Sequence, residues 1–145
     1  GQRQPVNYVL PPGISRMFDS SQPQLLQQNE QALSMKITDL SPADARAVYK
    51  STAYDLRRYK RLQMFAHAEA PIDESKTLSN GDFSVFIRLG SDYKNNYYEY
   101  EVPLDLTPHS TILYNTNNSA DQEKVWPLNN TLNFKLETLT DLKLN

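Results

Sequence analysis

Glu99 and Glu101 are the carboxylates best placed to do chemistry, because they stand two residues apart in a stretch, Tyr97 to Leu104, that alternates in character. On a strand this spacing puts both on one face about 6.6 Å apart, inside the ~6.5–9.5 Å separation used by an inverting glycosidase. Glycosidase carboxylates flank the scissile bond, however, whereas neighbours on one strand point the same way. A solvated strand face with cross-strand partners such as Arg88 asks less of the sequence.

Other catalytic chemistry is poorly supplied. His67 falls on the expected outward face of a strand, and His109 follows Pro108 in a loop, so both read as solvated or hydrogen-bonded side chains. The chain has no cysteine, glycine-rich phosphate loop, G-x-S-x-G or H-E-x-x-H. Asp82 and Asp92 could lend oxygens to a structural calcium ion, but no D-x-D-x-D-G loop is present and turn chemistry explains both. No catalytic residue, metal site or cofactor is expected, and the chain reads as a non-enzyme.

Binding chemistry is better represented. Arg57, Arg58, Lys60 and Arg61 form the only basic cluster, which suits an acidic docking partner or salt bridges to a neighbouring strand. Tyr93, Asn96, Tyr97 and Tyr98 set flat aromatic rings beside amides, a mixture that serves sugar rings and protein contacts alike, or covers the end of a sandwich. A net charge of −2 and a pI near 5.7 provide no field for nucleic acid or an anionic membrane.

The elements that would position these residues centre on Phe83 to Leu104. Phe83, Val85, Ile87 and Leu89 share one face of a strand, and Ser84, Phe86 and Arg88 the other. Tyr98, Tyr100, Val102 and Leu104 alternate in the same way against Tyr97, Glu99 and Glu101, which makes Gly90 to Asn96 the loop of a hairpin. Asn80-Gly81 is a turn signal that predicts one more strand before it.

Residues 1–31 carry four prolines and many glutamines and read as an extended arm packed on the domain, with a short helix possible over Gln22 to Gln31. Leu33, Met35 and Ile37 predict a half-buried strand, and Ser41-Pro42 a short capped helix. A strand is expected from Arg61, with Leu62, Met64, Ala66 and Ala68 inward and Phe65, His67 and Glu69 outward. Tyr114 to Asp121 reads as a long polar loop, and Leu132, Leu136, Leu139 and Lys143 predict an amphipathic helix from Asn130. The Asn-Asn-Ser and Asn-Asn-Thr triplets at Asn117 and Asn129 match the glycosylation pattern by chance in so asparagine-rich a chain. The sum is a mainly β, jelly-roll-like sandwich of galactose-binding type over residues 32–145, with short helices, one of them C-terminal.

A chain of 145 residues is one domain's worth and buries about 68–70% of its unfolded surface. No stretch approaches the ~18 consecutive apolar residues of a membrane helix. Gly1-Gln2 in place of a starting Met suggests an excerpt of something larger.

Several blocks are also familiar as words: Asn7-Tyr8-Val9-Leu10-Pro11-Pro12-Gly13-Ile14, Asp44-Ala45-Arg46-Ala47-Val48-Tyr49-Lys50, Tyr59-Lys60-Arg61-Leu62-Gln63-Met64-Phe65, Asn95-Asn96-Tyr97-Tyr98-Glu99-Tyr100-Glu101 and Val125-Trp126-Pro127. In this order, over nearly the whole chain, they resemble a segment of the SprA/Sov family, very large outer-membrane proteins of Bacteroidota linked to gliding motility and type IX secretion. The resemblance implies a non-catalytic segment of a translocon whose membrane part is a giant β-barrel. It also implies partners such as a PorV-like shuttle and plug subunits, and a place at the outer membrane. The long polar loops favour the cell surface over the periplasm. At Trp126-Pro127-Leu128 the chain departs from the family's pattern, which sets an acidic residue after the proline, so no carboxylate role is carried over there. The competing function from the residues alone is a carbohydrate-binding jelly-roll module.

Overall fold

The computed structural model describes residues 6–16 and 32–141, so the helix expected over Gln22 to Gln31 and much of the 1–31 arm lie outside the described residues. The chain divides into two compact units, Gly1–Ile14 with Leu56–Asn145, and Ser15–Asp55.

The first unit is mainly β, built on two antiparallel two-stranded sheets. Strands β2 (Ser84–Gly90) and β3 (Tyr97–Pro103) form the expected hairpin, in the register Val85 to Val102, Ile87 to Tyr100 and Leu89 to Tyr98. Strands β1 (Arg61–Met64) and β4 (Leu132–Lys135) pair with Leu62 opposite Phe134. An isolated two-stranded sheet is marginal in water, and each of these two needs the other's apolar face. Phe134, Leu136 and Leu139 supply one side of the shared core, and Leu62, Ile87, Leu89, Tyr98 and Tyr100 pack against them. Tyr100 stacks on Phe134 with ring centroids 4.4 Å apart. The sandwich-like class therefore holds, with four strands described where a complete jelly roll has eight.

A second cluster is assembled from distant sequence. Val6, Val9, Val125 and Trp126 are buried together, with Tyr8, Phe65 and Tyr114 around them. Residues 6–14 have no strand partner, yet their backbone is answered by side chains. The Asn7 carboxamide donates to the Tyr114 carbonyl and accepts from the Tyr114 amide, and the Leu10 amide donates to Thr116 Oγ1. The segment ends in a turn, Pro11 to Ile14, whose third residue, Gly13, takes φ 77° as a type II turn requires.

Three local expectations fail for identifiable reasons. The helix read from Asn130 is instead β4 followed by a short helix α2 (Glu137–Asp141), because Leu132, Phe134 and Leu136 also alternate by two and β1 supplies a partner. Tyr114 to Asp121 is not all loop: helix α1 (Ser119–Val125) starts there, with Asn118 Oδ1 capping the amides of Ala120 and Asp121. The turn at Asn80-Gly81 forms, with Gly81 at φ 86°, but no strand precedes it among residues 65–83.

In the second unit, Leu33, Met35 and Ile37 are exposed and no strand forms over the described residues, since alternation without a ladder partner does not make a sheet. Ser41-Pro42 opens a turn and not a helix: the Asp44 amide returns to the Ser41 carbonyl, and Ala43 sits at φ 67°.

Candidate functional site

The hairpin tip is held by a close backbone approach and a set of side-chain hydrogen bonds. Gly90 lies so close to the returning strand that a Cβ there would meet the Asn96 carbonyl and sit 2.5 Å from the Tyr97 Cα. Asp92 then organises the loop: Oδ1 accepts from the amides of Lys94 (2.8 Å) and Asn95 (2.6 Å), and Oδ2 accepts from the Asn96 side chain (2.6 Å). These donors, the Asn95 amide foremost, hold the Asp92 pKa down to about 2.

Arg88 fills the outer face beneath the tip. Its Nε donates to Glu99 Oε2 at 2.5 Å, directly across the strand pair, and its Nη1 donates to the Tyr93 carbonyl at 2.9 Å. The guanidinium carbon lies 4.2 Å from the Tyr97 ring centre and 5.0 Å from that of Phe86. The bond to Glu99 raises the Arg88 pKa still further. Glu101 is engaged separately, accepting from the Ser84 hydroxyl. The two carboxylates thus serve their own cross-strand neighbours.

Of the expected binding residues, Tyr93 (48% exposed), Asn96 and Tyr97 come together at the tip. Tyr98 does not join them, since it turns inward against the core opposite Leu89. Arg57 and Arg58 lie on a 3-10 turn, Leu56–Arg58, with Lys60 beyond it and Arg61 opening β1, all exposed.

A polar knot missed in the sequence surrounds His67, whose side chain is only 6% exposed. The period of two does not carry on through Phe65, His67 and Glu69, because β1 ends at Met64 and all three turn toward the second cluster. His67 Nδ1 donates to the Val125 carbonyl at 2.7 Å, and its ring meets Trp126 edge-on at 5.8 Å. Nε2 lies 3.1 Å from Glu69 Oε2, the same oxygen that accepts from the Val6 amide. Thr107, also buried, donates to the Lys124 carbonyl and closes the knot. The available signal was the single tryptophan, which has to be covered by something.

Among the described residues no group of three or more His, Cys, Asp or Glu side chains is placed to hold a metal ion, and no helix is long and apolar enough to cross a membrane. The carboxylate of Asp82 is used by the Ser79 amide, at 2.7 Å. The model of the SprA_N family, described as a motility related/secretion protein, matches residues 1–145. The chain belongs to this family. No curated protein matches it. The SprA_N assignment makes it motility- or secretion-related and agrees with the resemblance seen in its sequence blocks.

Proposed function

We propose that this SprA_N segment is a non-catalytic scaffold and docking domain of an outer-membrane protein-secretion translocon, of the kind that serves type IX secretion and gliding motility. The observation that carries the docking role is the ordered hairpin tip. Asp92 fixes the loop, Arg88 fixes the rings beneath it, and Tyr93 is left outward on a support that has little entropy to lose on contact. Its partners in this reading are other secretion subunits or cargo, and the segment lies at the cell surface. The carbohydrate-module alternative is disfavoured because the Arg88 guanidinium already occupies a face of Tyr97 that a sugar ring would need.

The test is a photo-crosslinking residue at Tyr93 in the full-length parent protein in cells, with the captured species identified. Secretion subunits or cargo are the expected product. Capture of polysaccharide alone, or of nothing, overturns the docking role of the tip.

A further inference from the structure

We propose that the outer face of the β1–β4 sheet is a second docking surface, and that its occupant is an extended acidic polypeptide segment. The proposal stands whether or not the hairpin tip makes contacts, because it rests on different residues.

In the antiparallel register Arg61 lies opposite Lys135 and Gln63 opposite Asn133. All four are exposed, while Leu62 and Phe134 turn to the core from the same strands. Directly paired residues share a face, as do residues two apart, so these side chains form a two-by-two grid of hydrogen-bond donors. Neither strand contributes a carboxylate to it, as RLQM and LNFK show.

Two cations directly across a strand pair repel and cost stability. A chain of net charge −2 has carboxylates to spare, yet it places none between Arg61 and Lys135. Lys135 meets Glu137, whose Oε1 is 3.4 Å from Lys135 Nζ with both side chains mostly in water. Water competes strongly at such a pair, so Glu137 is a replaceable counter-charge. Arg58 and Lys60 add positive charge just upstream.

The geometry selects the ligand. Alternate side chains of an extended peptide are about 6.6 Å apart, the same repeat that separates Arg61 from Gln63 and Asn133 from Lys135. An acidic residue at every second position would meet the grid row by row, and the carboxamides can bond carboxylate or peptide groups. Leu62, Leu132 and Phe134 of this sheet pack inward and the grid itself holds no apolar side chain, which favours a polypeptide over insertion into a lipid surface.

The experiment measures binding of a fluorescent peptide alternating Glu and Thr to the intact chain by anisotropy, against a Gln and Thr control. The acidic peptide is expected to bind in low salt and to dissociate as salt screens the charges. Arg61→Gln with Lys135→Gln should weaken it about tenfold, and Glu137→Gln should strengthen it about two- to threefold. The double variant removes a repulsion, so its melting temperature should not fall, which separates lost binding from lost folding. Equal binding by wild type and double variant overturns the proposal. So does binding of phosphatidylglycerol vesicles without binding of the peptide.

Discussion

The indole nitrogen of Trp126 donates to the carbonyl oxygen of Val9 at 2.8 Å, joining residues 117 positions apart inside the second core cluster. Both ends of this bond are buried, so neither partner can turn to water when the other is lost.

Trp126→Phe keeps an aromatic ring but removes the donor. The unpaired Val9 carbonyl should cost about 1–3 kcal/mol in chemical denaturation. Hydrogen exchange should accelerate at the Leu10 amide, which is held by Thr116. Unchanged exchange at Leu10 would mean that the 6–14 segment is secured without Trp126.

Gly90→Ala tests the tip. The position needs no left-handed backbone, only the absence of a side chain against the Asn96 carbonyl. Backbone must move to admit the methyl group, at about 1–3 kcal/mol. The Ser91 amide, which donates to Asn96, should lose its protection. Wild-type stability together with a protected Ser91 would contradict the close approach.

Asp92 gives a pH dependence with a definite sign. Its folded pKa of about 2 lies below the ordinary 3.8, so its ordering of the loop is present above 3.8 and is lost as pH falls toward 2. Following the Asp92 carboxyl by NMR should give a midpoint near 2, and Asp92→Ala should abolish the low-pH change in the Lys94 and Asn95 amides. A midpoint near 4 would show that those amides do not bind it.

Asn130, with 0% exposure, binds the backbone of Asp105 twice: Oδ1 accepts from its amide at 2.7 Å and Nδ2 donates to its carbonyl at 2.8 Å. Asn130→Ala removes both bonds and should cost about 2–4 kcal/mol. Thermal unfolding measures it, and a shift below 1 °C would show that the pair contributes little.

What could be read from the sequence divides along the range of the contacts. The hairpin was legible because strands, loop and the Arg88–Glu99 pair all lie within the one stretch Phe83 to Leu104, and alternation alone fixes the faces. Leu132, Leu136 and Leu139 fit a helical stripe as well as Leu132, Phe134 and Leu136 fit a strand. The choice was made by β1, some seventy residues earlier. His67 was misplaced because the end of a strand is set by where its partner stops, which the local pattern does not contain. Leu33, Met35 and Ile37 show the converse, a good strand pattern with no ladder among the described residues. The tip residues were found by composition, but Tyr98 belongs to the opposite face from Tyr97 by the same period of two that located the strands.

The stitching of residues 6–14 onto Tyr114, Thr116 and Trp126 also fixes an order of events during synthesis. Asn7, Val9 and Leu10 are made more than a hundred positions before these partners, which follow only after the whole Ser15–Asp55 unit and strands β1 to β3 have been translated. Loop closure over that span must precede the reward from burying Val6 and Val9, so this cluster completes late. Until Trp126 has left the ribosome, the apolar Val6 to Pro11 segment has to be kept from other partners, and a chain stopped short of that residue would carry it exposed.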